Sequence, residues 1–192
     1  MEKDEVGPFK VVVVGGSAGS LEVILNMIRA IPARPNAVFI FIIHRKNDKD
    51  SNLESLFSYK TELPVREVED KDPILPNHMY IAPPDYHLLI ETEDNFSLDS
   101  SEKIHFSRPS IDVTFESVAE AFGPRVVGIL LSGANADGAQ GLLRIKQRGG
   151  LAIVQDPEDS EIGFMPQQAI NIGAHDKVLN INNLIAFIKS NL

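Results

Sequence analysis

The chain has 192 residues, 43% hydrophobic and 23% charged, which suits one α/β domain able to bury both faces of a sheet. Its 27 acidic against 18 basic residues give a formal charge of −9 at pH 7 with no basic stripe, which argues against nucleic acid and anionic membrane as partners. No cysteine is present, so disulfides, thiolate catalysis and cysteine-based metal sites are excluded; no segment approaches the ~20 apolar residues of a membrane span or forms a signal peptide, so a cytoplasmic protein with no membrane insertion is expected.

Val11 to Val14 read as a strand covered on both faces, the pattern of a parallel sheet. Leu21, Ile24, Leu25, Ile28 and Ile31 then mark one apolar face of a helix that Pro32 ends. Between them, Gly15-Gly16-Ser17-Ala18-Gly19 fits the Gly-x-Ser-x-Gly pattern of a nucleophile elbow, with the N–H groups of a helix start close by to receive negative charge. The Gly-x-Gly-x-x-Gly dinucleotide fingerprint fits in no register. The second strand, Ala37 to Ile43, ends at His44, where a ribose-binding carboxylate would be needed.

Ser51-Asn52-Leu53-Glu54 predicts a capping box opening a short helix through Phe57. Pro64 to Glu69, Met79 to Ala82 and Tyr86 to Glu91 read as further strands with some antiparallel pairing, and Asp94 to Ser101 as polar and turn-like. Arg108-Pro109-Ser110-Ile111-Asp112 opens a helix bearing Phe115, Val118, Ala119 and Phe122, stopped at Gly123-Pro124. Val126 to Leu131 is another buried strand, followed by a loop through Asp137-Gly138 and a helix closed at Gly149-Gly150. Leu151 to Gln155 is a strand, Pro166 suits a first helical position, Lys177 to Leu179 is the last strand, and Leu184, Ile185 and Ile188 lie on a final helix. Strands alternating with helices predict a doubly wound, mostly parallel sheet with helices on both faces.

In such sheets the site forms beyond the carboxyl ends of the central strands. Ser17, His44 and Asp137 all fall there, and can converge if the strand order reverses beside the first strand. In a triad His44 would take the Ser17 proton and Asp137 would orient the imidazolium. Each has a structural alternative: Ser17 or Asp137 as a helix cap, and His44 as a loop residue. His78, His87, His105 and His175 compete with His44, with His87 read as structural, and Asp156 competes with Asp137.

Several motifs in order, from Val11 to the C-terminus, make the chain resemble the catalytic domain of chemotaxis protein-glutamate methylesterases (CheB-type). They are Gly15 to Ser20, His44, Tyr80-Ile81-Ala82-Pro83-Pro84 with His87, Arg108 to Asp112, Leu131-Ser132-Gly133 through Ala139, and Gly163-Phe164-Met165-Pro166 with Ala169-Ile170. The resemblance implies a sheet of about seven strands. It also implies a serine esterase acting on methylated glutamates of chemoreceptor cytoplasmic helices, with glutamine deamidation as a second activity, and needing no metal or organic cofactor. Carried over by motif, Ser17 is the nucleophile, His44 the base and Asp137 its partner. The backbone N–H groups of Ala134 and Ala18 would face the oxyanion, and Asn135 and Met165 are candidates for the substrate loop. Ala18 stands where many members have Thr, Asn135 where Gly is usual, and Arg45 to Asp50 where others are apolar. Only nine residues precede Lys10, where members commonly carry a receiver domain, so a stand-alone or excised domain is expected, with a separate receiver or methyltransferase protein as a candidate partner. A scaffold of the same fold without turnover and a nucleotide-binding module are the readings from other classes.

Overall fold

A computed structural model describes residues 9–45 and 52–192. Seven strands form one sheet in the order β3-β4-β2-β1-β7-β8-β9. They are β1 (Lys10–Gly16), β2 (Ala37–Ile43), β3 (Val65–Glu67), β4 (Met79–Ile81), β7 (Val126–Leu130), β8 (Leu151–Gln155) and β9 (Lys177–Leu179). Every pairing in it is parallel. A two-stranded antiparallel ribbon, β5 (His87–Thr92) with β6 (Asn95–Asp99), stands apart from that sheet.

Strand β1 explains the layering. Its valines alternate, Val11 and Val13 into one core and Val12 and Val14 into the other, because successive strand side chains point to opposite faces. The first core is covered by α3 (Ile111–Phe122), α4 (Ala139–Gln147) and α5 (Phe164–Asn171), through residues such as Phe115, Leu142, Ile145 and Ala169. The second is covered by α1 (Leu21–Ala30), α2 (Leu53–Ser58) and α6 (Ile181–Asn191), through Ile24, Met27, Phe57, Leu184 and Ile188. A strand sandwiched this way is apolar throughout, which is why β2 is buried at all seven positions.

The order reverses at β1. From it the chain runs to β2, β4 and β3 on one side and to β7, β8 and β9 on the other. The crevice at that reversal, beyond the carboxyl ends of β1, β2 and β7, is where Ser17, His44 and the loop to Asp137 emerge.

Three local expectations differ. Asn95–Asp99, within the segment read as turn-like, is strand β6, with Phe96 buried against Tyr80 at a ring-centroid separation of 4.8 Å. Helix α2 begins at Leu53 with Asn52 as its cap, its side chain accepting from Ser55 N–H, while Glu54 accepts from Glu67 N–H across to β3; Ser51 lies outside the described residues. Helix α5 starts at Phe164, two residues before Pro166, which still sits in the first turn where no N–H is needed.

Candidate active site

The bend after β1 is built by glycine, but not as a strained elbow. Ser17 N–H donates to Ser132 O at 2.9 Å, and Ser20 N–H closes back on Ser17 O at 3.1 Å. Between them Gly19 has φ +80°, the third position of a type II turn, while Ser17 itself has an ordinary backbone. A side chain at Gly15 would overlap Ile111, and one at Gly19 would meet Glu161 and the Ser132 hydroxyl at 2.6 and 2.8 Å. The space a dinucleotide loop leaves for pyrophosphate is therefore filled by the protein's own side chains. The position before helix α1 is Ser20, not Ser17, and the Ser20 hydroxyl donates back to Ser17 O at 2.7 Å, so the Ser17 hydroxyl is not spent as a cap.

Gly16 and Ile43 are ladder partners at the ends of β1 and β2, and His44 N–H extends the ladder to Gly16 O at 3.1 Å. Ser17 and His44 are thus the next residues on neighbouring parallel strands, whose spacing is about 4.8 Å. The β7 loop closes the third side, and a Cβ at Gly133 would lie 3.1 Å from Ser17 Cβ.

His44 Nε2 lies 2.7 Å from Asp137 Oδ2, with the carboxylate fully buried and the imidazole side chain 11% exposed. An ionised carboxylate only accepts, so Nε2 carries the proton and Nδ1 is left as the basic atom. The Ser107 hydroxyl lies 3.4 Å from Nδ1.

Asp137 serves as a cap, but not for the helix that follows it. Its carboxylate accepts from Ile111 N–H at 2.6 Å, Asp112 N–H at 2.9 Å and the Ser110 hydroxyl at 2.8 Å, so it caps α3 while holding His44. Asp112 returns the arrangement, its Oδ1 accepting from Gly138 and Gly141 N–H at 2.9 and 2.7 Å at the start of α4. Burial alone would push Asp137 up, but the hydrogen bonds from His44, Asp112 and Ile111 outweigh it and hold the carboxyl below its ordinary value. Asp112 goes the other way. Burial pushes it up to about 6 against its Gly141 hydrogen bond, with the Asp137 charge adding to the rise.

The remaining histidines stand outside the Asp137 contact that His44 makes. His87 is buried, its Nδ1 accepting from Ser110 N–H at 3.1 Å and its Nε2–H donating to Glu102 O at 2.9 Å, so it is structural and positions Ser110. His78 stacks on Tyr80, and His105 Nε2 lies 3.3 Å from Asp112. His175 sits beyond α5, near β9. Asp156 caps the 3₁₀ turn at Pro157–Asp159. Together His105, Asp112 and Asp137 present donor atoms within 4.8 Å of one another. With the Asp137 oxygens already accepting four hydrogen bonds, this is a hydrogen-bonded knot rather than a free ligand set.

The loop residues divide. Ala134 is exposed, and neither its N–H nor that of Ala18 is taken by an acceptor among the described residues. Asn135 keeps an ordinary backbone, not the left-handed one that Gly would favour; its side chain accepts from Asp137 N–H and donates to Ser107 Oγ and His105 O. Met165 is fully buried and packs beneath Gly133, so it supports the loop rather than meeting a substrate. The sequence reading missed Ser110, Asp112 and Ser107. Ser110 and Asp112 carried a capping signal, but nothing local says that Asp112 caps a different helix. A cleft of about 500 Å³ opens beside His44, lined also by Arg45, Lys103, Phe106, Ser107 and Arg108. No helix among the described residues is long and apolar enough to cross a membrane.

The CheB methylesterase family model matches residues 12–188. A Leptospira interrogans protein named as a protein-glutamate methylesterase/protein-glutamine glutaminase is 38% identical over 176 residues, covering 92% of this chain and 91% of that one. The Myxococcus xanthus protein-glutamate methylesterase FrzG is 34% identical over 177 residues, but this chain spans only 53% of it. The crystal structure of the Thermotoga maritima CheB methylesterase catalytic domain superposes with a TM-score of 0.86 at 31% identity, over 94% of this chain and 100% of that one. Matched along nearly its whole length in sequence and fold, this chain belongs to the CheB methylesterase family.

Proposed function

We propose that residues 1–192 act as one catalytic domain, a serine esterase that hydrolyses methyl esters of glutamate side chains on the cytoplasmic helices of chemoreceptors and deamidates receptor glutamines. Ser17 Oγ attacks the ester carbonyl while His44 Nδ1 takes its proton. The resulting oxyanion is received by the N–H groups of Ala134 and Ala18. The imidazolium, steadied by Asp137, returns the proton to the methoxide leaving group, which departs as methanol. Water then repeats the sequence on the acyl-enzyme, freeing the glutamate carboxylate and Ser17. Each such N–H contributes roughly a hundred- to a thousand-fold in rate. An amide offers the same carbonyl and leaves as ammonia, which accounts for the deamidation.

One observation carries this reading: a buried carboxylate, fixed by three donors from α3, lies 2.7 Å from the imidazole on the strand next to Ser17. The test is methanol release from a methylated receptor fragment. Ser17→Ala should abolish it without lowering the thermal midpoint, and a serine-directed phosphonate should label the wild-type chain at Ser17. Retained turnover in the variant would refute the nucleophile. An unlabelled, inactive wild type would favour a scaffold that kept the fold and lost the chemistry.

A further inference from the structure

We propose that Phe106 is a substrate-docking residue, which seats an apolar side chain of the receptor helix against the rim of the His44 cleft. The inference rests on the esterase reading above.

Residues 104–107 form a tight hairpin, with Ile104 N–H donating to Ser107 O at 3.1 Å and Ser107 N–H to Ile104 O at 2.9 Å. Its two tip residues, His105 and Phe106, have φ of +48° and +62°. Positive φ at both positions is the signature of a type I′ turn, which strongly favours Asn-Gly; a histidine followed by a phenylalanine is a strained choice. His105 is held from within, its Nε2 3.3 Å from Asp112. Phe106 has no such tie. It is 97% exposed, the most exposed of the large apolar side chains among the described residues, and it lines the cleft with His44 and Ser107. Strain and exposure of an aromatic at the same residue, with no gain to packing, point to a function outside the fold.

The rest of the rim says what the partner is. Although the chain carries a charge of −9, the described residues lining this cleft include Lys103 and Arg108 beside the carboxylate of Asp85, with Arg45 already ion-paired to Glu67. The Arg108 guanidinium donates to the uncharged Ser100 and Ser101 carbonyls, and its charge also acts on the nearby Asp99 carboxylate. A rim that presents Lys103 and Arg108 beside one apolar prominence fits an amphipathic helix that carries glutamates near the reacting ester and an apolar residue on the same face.

The experiment compares Phe106→Gly with the wild-type chain, reading KM and kcat for methanol release from a methylated receptor fragment, and the thermal midpoint. Tyr59→Ala, an aromatic 86% exposed beside α2, is the control. Phe106→Gly should raise KM about tenfold, which is about 1.4 kcal/mol of binding, with the loss falling on KM rather than kcat. The same variant should raise the thermal midpoint by about 2 °C or more, because glycine relieves the turn. Tyr59→Ala should leave KM alone. Affinity lost while stability rises is a split that a purely structural side chain cannot give. A wild-type KM in Phe106→Gly, or a lowered midpoint, would overturn the proposal. If the wild-type chain itself releases no methanol, the esterase reading falls with it; release at an unaltered KM sinks this inference alone.

Discussion

Replacing Asp137 by Asn exchanges one acceptor oxygen for an NH₂ group inside a cage of donors, and the cage decides which oxygen is exchanged. One carboxylate oxygen faces His44 Nε2 and Ile111 N–H, at 2.7 and 2.6 Å; the other faces the Ser110 hydroxyl and Asp112 N–H, at 2.8 and 2.9 Å. Each pair contains one partner that can adapt, His44 by changing tautomer or Ser110 by rotating its hydroxyl, and one fixed backbone N–H. The Asp112 contact is the longer of the two fixed ones, so the NH₂ group should turn to that side and leave the oxygen on His44. The imidazole then keeps its proton on Nε2, and Nδ1 stays basic. What is lost is the anion behind the ring: the difference between a charged and a neutral acceptor is about 1–2 kcal/mol, or roughly a five- to thirty-fold fall in kcat. The opposite orientation would put the proton on the wrong nitrogen and cost about ten-thousand-fold. One backbone N–H facing an NH₂ group in the buried cage should also cost about 1–3 kcal/mol, a drop in thermal midpoint of several degrees. Single-turnover methanol release and a thermal melt measure both. A loss near ten-thousand-fold would refute an oxygen-to-His44 orientation, and a wild-type rate would remove Asp137 from the mechanism.

Two further predictions concern the same knot. Asp112, pushed up to about 6 from an ordinary 3.8, is stabilised by the fold when protonated, so that its contribution is complete below pH 4 and disappears as pH rises through 6. That is about 3 kcal/mol over the interval. Asp112→Asn keeps an oxygen for Gly138 and Gly141 and should gain on the wild type as pH rises from 4 to 7 in urea unfolding; parallel pH profiles would refute the shift. At Gly15, the added methyl of Gly15→Ala overlaps the Ile111 side chain and lies 3.1 Å from the Phe115 ring. It should cost about 1–3 kcal/mol. It should also slow methanol release by pushing the first turn of α3 off Asp137; a wild-type melt and rate would show that α3 simply moves aside.

The sheet was largely readable because its strands announce themselves. Val11 to Val14 and the seven apolar residues of β2 can only be interior strands, and their ends fix where Ser17 and His44 emerge. Strand β6 escaped because only Phe96 and Leu98 alternate inward, among polar neighbours that also suit a turn. Asp137 was found from its place after β7, but its work as the cap of α3 was not, since capping preferences describe sequence neighbours and Ile111 is 26 residues away. Ser107 and the exposed Phe106 gave no sequence signal, because both owe their position to the hairpin that carries them past His44.

Because α3 and α4 each supply the anion that the other's first turn requires, neither start is complete until both have docked on the sheet. The imidazole is aimed by the very carboxylate that closes this mutual clasp. Enzymatic competence is therefore a late event in assembly, and a breathing motion that parts the two segments would silence the enzyme well before the sheet itself comes undone.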